Sequence, residues 1–159
     1  MLLRLYLRKN LLYLPTVALT DAGFYRDVEP VQVVGLVDIP LLEQAIKGAL
    51  ARGNPVVSAP PRAAIPKPVV LAYAKVKSWS AFERDALTWL VRREENAYHL
   101  SMGRRRIDRG WDHSVVAETL PSAAADDTVA RWIIAAILRA IHTSGVNGQA
   151  SRCDRDIDN

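Results

Sequence analysis

The sequence predicts an α+β domain, a mainly antiparallel sheet with about three helices packed on it. Three short extended segments follow one another at the start, apolar stretches at three-four spacing lie in the middle and near the end, and half of the 159 residues are hydrophobic, enough for a sizeable core. One domain is expected over residues 1–145, with residues 146–159 as a disordered C-terminal tail.

From Leu2 to Leu7, Leu3, Leu5 and Leu7 alternate with Arg4 and Tyr6, the period of a half-buried strand. Lys9-Asn10 reads as a turn, and LLYLPTVAL as a second strand whose Pro15 belongs at an edge, a bulge or a strand end because it cannot donate to a ladder. After TDAG, FYRDVEPVQVVGL is a third extended segment, and three sequential strands imply a meander.

Asp38 and Pro40 open a helix in which Leu42, Ala45, Ile46, Ala49 and Leu50 share a face, and Gly53 ends it. NPVVSAPPRAAIPKP, with five prolines in fifteen positions, predicts an irregular surface connection. VVLAYAKVK alternates like a strand. Ser80 and Glu83 match a capping box, predicting a helix with Trp79, Phe82, Ala86, Trp89 and Leu90 on one stripe. YHLSMGRRRIDRGWDHSVV, residues 98–116, reads as a hairpin with its arginines at the tip. PSAAADDTVARWIIAAILRAIHTSG is a long, largely buried helix with Asp126 and Asp127 in its first turns and Gly145 past its end.

The charge balance, 21 basic against 17 acidic residues for a net +4, does not by itself imply nucleic acid. Cys153 is the single cysteine, which rules out an internal disulfide and a multi-cysteine zinc site and fits a reducing, cytoplasmic setting. Arg4, Arg8 and Lys9 interrupt the apolar start, so no membrane span or signal peptide is expected there.

Arg104, Arg105, Arg106 and Arg109 crowd the hairpin tip, where they repel one another unless something anionic meets them. With Trp111, the tryptophan expected to be the most exposed of the four, they have the composition of an interface centre. Trp111 and Tyr98 could instead stack nucleobases, although Asp108 and Asp112 offset the charge and no nucleic-acid motif is present. His99 and His113, with Asp112 and Glu118 nearby, are the acid–base candidates, but spacing alone does not bring them to one pocket. No glycine-rich phosphate loop or nucleophile elbow occurs. Cys153 lacks a neighbour that would activate it, His142 suits a helix C-terminus better than a metal, and Asp154, Asp156 and Asp158 lack the glycine and glutamate of a calcium loop. No cofactor, metal or small-molecule substrate is expected.

LRLYLRKNLLYLPTVALTDAGFY, the proline-rich loop ending IPKPVVLAYAKVKSWSAFER, and the long penultimate hairpin together resemble the immunity proteins of bacterial contact-dependent growth-inhibition systems, across most of residues 1–145. The resemblance implies a non-catalytic cytoplasmic protein that binds and blocks a cognate toxin domain. The net basic charge departs from the acidic character expected of inhibitors of basic nucleases. Asp21, Asp27 and Glu29 would suit a basic toxin, and the arginine hairpin an acidic one.

Overall fold

In the computed structural model, which describes residues 1–61, 66–106 and 110–149, and side chains through 143, three strands open the chain: β1 (Leu2–Arg8), β2 (Leu11–Thr20) and β3 (Tyr25–Gly35). Lys9 and Asn10 both take positive φ, the geometry that lets a two-residue turn follow the twist of its strands. Pro15 sits at a bulge. It lies opposite Val31, while its neighbour Thr16 lies opposite Val28, so Glu29 and Pro30 are extra residues on β3. Beyond Tyr13, β2 diverges from β1. The Asn54 side chain enters the gap, donating to the carbonyls of Leu2 and Val17 and accepting from the Leu2 amide at 2.7 Å. Within the proline-rich connection, β4 (Val56–Val57) pairs in parallel with the end of β2.

Helix α1 (Ile39–Arg52) forms as its punctuation predicts: the Asp38 carboxylate accepts the Leu41 amide, and Gly53 at φ 63° closes it. Two expectations need correction. Residues 69–77 are not a strand; Val70–Tyr73 form a short helix, α2, and Lys75 takes positive φ. Helical geometry buries the adjacent Val70 and Leu71 together, which strand alternation would separate. Nor do residues 80–94 form one helix. Helix α3 (Trp79–Glu83) is capped by Ser78 rather than Ser80, and β5 (Ala86–Arg93) follows. Leu87, Trp89 and Val91 face the main core at period two, and seven residue pairs with β1 outweigh the helical propensity of the segment.

β6 (Ala97–Met102) pairs with β5 and with β9 (Glu118–Pro121). Between them, β7 (Arg104–Arg105) and β8 (Trp111–Asp112) form a separate two-stranded ribbon, so the expected hairpin is present in two parts. The last helix, α4 (Asp126–Gln149), runs through Gly145 and four residues into the segment expected to be tail; residues 150–159 lie outside the described residues.

The main sheet therefore has the order β3-β2-β1-β5-β6-β9, with β4 beside β2, and is antiparallel except at β4. The long helices α1 and α4 cover one face, where Leu5, Leu12, Ile46, Leu100, Ile133 and Ile137 are excluded from solvent. Burial of each such side chain contributes about 1.5–3 kcal/mol. On the opposite face, α2 and α3 cover a second, aromatic cluster built on Tyr6, Tyr13 and Phe82. Together these elements are an α+β fold with two long and two short helices among the described residues. Among those residues no helix is long and apolar enough to cross a membrane.

Candidate functional site

The sheet face away from α1 and α4 carries most of the candidate residues. β1 places Arg4 and Tyr6 there, and β3 places Asp27 across from them. The Asp27 carboxylate takes the Arg4 guanidinium at 2.7 Å through one oxygen and the Tyr6 hydroxyl at 2.7 Å through the other. Burial, reinforced by Asp27, pushes the Tyr6 hydroxyl well above its ordinary pKa, so it remains a donor. The three acidic candidates do not form one open face. Only 7% of the Asp27 side chain is exposed. Asp21 accepts the Ala59 amide and ties down the proline-rich connection, and Glu29 accepts the Tyr73 hydroxyl and the Val31 amide.

The basic candidates differ. Arg104, Arg105 and Arg106 are all exposed on the β7–β8 ribbon, which the Arg106 amide closes by donating to Gly110. Arg109 lies outside the described residues. Trp111 corrects the expectation of exposure: its ring packs inward, edge-on to Trp79 at 5.4 Å and tilted against Tyr6 at 5.9 Å. Trp79 in turn stacks on Phe82. Trp111 thus fastens the base of the ribbon to the aromatic cluster and is not presented for stacking on a base. Asp112, opposite Arg104, is held below the usual carboxylate range by the Ser114 amide and hydroxyl and then by Arg106 and Arg104.

The structure brings His99 and His113 to one place. They border a hollow of about 470 Å³ on the open face. Arg92 and His99 are cross-strand partners, as are Leu90 and Ser101, and these four make its floor; His113, Ser114 and Val116 supply a wall. The carboxylates expected to orient the histidines do not. Asp112 turns to Ser114, while Glu118 lies on the helix-covered face, accepting from Trp132 at 2.9 Å and pairing with Arg139. Glu94, in the β5–β6 turn, instead stands 3.5 Å from the His99 ring. Sequence reasoning missed Glu94 and Arg92 because residues 80–94 read as a helix, which gives no strand register from which to find them.

His113 is seated by a glycine. A Cβ added to Gly103 would lie 2.4 Å from the Thr88 methyl and 2.8 Å from the His113 ring, so only glycine fits without displacement. Burial, with Arg4 adding to it, depresses the His113 pKa, and its Nδ1 is enclosed without a hydrogen bond among the described residues.

No family model and no curated protein matches the chain. Among solved structures it is similar to a protein of unknown function from Neisseria meningitidis, at 14% identity over 82% of this chain and 88% of that one, with a TM-score of 0.56. At that identity the likeness is one of fold alone.

Proposed function

We propose that this chain is a non-catalytic, cytoplasmic immunity protein that binds a cognate toxin domain and occludes its active site, the ribbon arginines making the contact. The observation that carries the choice of surface is the exposure of Arg104, Arg105 and Arg106 on a ribbon whose base Trp111 fixes in the aromatic cluster. A cationic ribbon suits an acidic face on the partner, because complementary fields steer association. The resemblance of the opening strands, the proline-rich loop and the penultimate hairpin to immunity proteins supplies the class of partner. Asp21, Asp27 and Glu29 are the weaker contact candidates, since each already serves an internal hydrogen bond.

The test is co-expression with the product of the adjacent upstream gene, one partner tagged. A stable complex that is weakened by Arg104→Gln with Arg105→Gln supports the reading; a chain that elutes alone overturns it. Elution with nucleic acid, lost steeply with salt, would favour a nucleic-acid-binding domain instead. The inward packing of Trp111 speaks against that alternative, because it removes the ring from base stacking.

A further inference from the structure

The hollow on the open sheet face is distinct from the ribbon. We propose that it is a binding site for a small oxyanion, a carboxylate or a phosphoryl group, held by Arg92 and His99. Three observations carry this. Arg92 and His99 lie directly opposite each other on β5 and β6, an arrangement that brings two cationic or proton-donating groups side by side. Among the described residues, the Arg92 guanidinium makes no ion pair. Ser101 borders the same hollow, adding an uncharged hydroxyl donor to the charged pair.

The shape fits a group with an apolar stem, since Leu90 and Val116 border the hollow beside the polar groups. Glu94 is the resident competitor. Its carboxylate contacts the His99 ring at 3.5 Å from a turn, and its side chain is 56% exposed, so it can swing away when a better-placed anion enters. His113 supplies a wall, its Nδ1 enclosed and its ring turned to the Ser101 backbone.

The experiment is an NMR titration of the full chain, following the imidazole ring signals of His99, His113 and His142 at pH 7 and constant ionic strength. Glutarate is the carboxylate probe, inorganic phosphate the phosphoryl probe and chloride the control. The expected result is a saturable shift at His99 with glutarate or phosphate and none with chloride; the tighter probe identifies the source of the anion. Arg92→Gln should weaken binding by about tenfold, the size of one charge-assisted hydrogen bond. Glu94→Gln should tighten it by roughly two- to fivefold through loss of the internal competitor. A linear, unsaturable shift, an unchanged affinity in Arg92→Gln, or weaker binding in Glu94→Gln overturns the site. Unchanged methyl signals of the buried Leu5, Ile46 and Ile133 certify that each variant is folded, and an unshifted His142 signal that the response is local to the hollow. The titration needs no partner protein, so its failure leaves the ribbon contact standing, and Arg104→Gln with Arg105→Gln should leave the titration unaltered.

Discussion

Arg4 and Asp27, on strands separated by β2, meet at 2.7 Å with the Asp27 side chain almost wholly enclosed. The pair links β1 to the distal half of β3, beyond the bulge at Pro15, where β1 and β2 no longer pair. Asp27→Ala leaves the guanidinium and the Tyr6 hydroxyl without their acceptor. Because a quarter of Arg4 remains exposed, the expected loss is about 1–3 kcal/mol rather than the full cost of an orphaned buried charge. Tyr6→Phe should cost about 1 kcal/mol. Urea denaturation measures both, and an Asp27→Ala change below about 0.5 kcal/mol would show that the pair is ornamental.

Gly103→Ala should destabilise the protein by about 1–3 kcal/mol, the range for forced overpacking, because the new methyl meets Thr88 and His113. Thr88→Ser removes the methyl that clashes most closely. The double variant should therefore recover part of the loss, and thermal denaturation of the two would detect it.

His113 makes stability pH-dependent. Unfolded, it titrates near its ordinary value of about 6.5; folded, burial holds it lower, opposed by a hydrogen bond with the Ser101 backbone and more weakly by Asp112, with Arg4 adding to the depression. Between those values the unfolded chain binds the extra proton, so stability falls as pH drops below about 6.5, and above it this group adds no slope. The urea midpoint should fall between pH 7.5 and 5.5 by more in the wild type than in His113→Gln. Equal falls would remove His113 as the cause.

Trp111→Ala and the double change Arg104→Gln with Arg105→Gln should separate scaffold from contact. The first removes aromatic packing from a half-buried site and should cost about 1–3 kcal/mol of stability, loosening the ribbon. The second alters exposed groups and should stay within about 0.5 kcal/mol. Both should weaken the proposed toxin complex, but only the second should flatten the salt dependence of its association rate. Stability and association rates measured for both would decide; a second variant that bound normally would move the contact off the ribbon.

The meander, α1 and α4 were legible because their signals are local: alternation in β1, the Asp38 cap and Gly53 stop of α1, and the three-four stripe of α4. Residues 80–94 misled because Trp79, Phe82, Ala86, Trp89 and Leu90 satisfy helical spacing, while Leu87, Trp89 and Val91 satisfy that of a strand. Pairing with β1, a partner far away in sequence, decides between them, and no short window contains it. The same loss of register hid the hollow. His99 and His113 were visible as residue types, but their meeting depends on Arg92 opposite His99 and on the space left by Gly103. Trp111 was expected outside because its sequence neighbours are charged; its neighbours in space, Trp79 and Tyr6, are aromatic.

The strand order also sets a timetable for synthesis. β1 lies in the middle of the sheet, yet its partner β5 begins at Ala86, roughly 80 residues after β1 ends. At about 5–20 residues per second the ribosome needs on the order of 4–16 s to make that interval. Throughout it, the apolar edge of Leu2–Arg8 has β2 on one side and no strand on the other. The nascent chain thus carries an unfilled central seam until its second half emerges, which makes the first half the part of this protein with the greatest need of protection while it is being made.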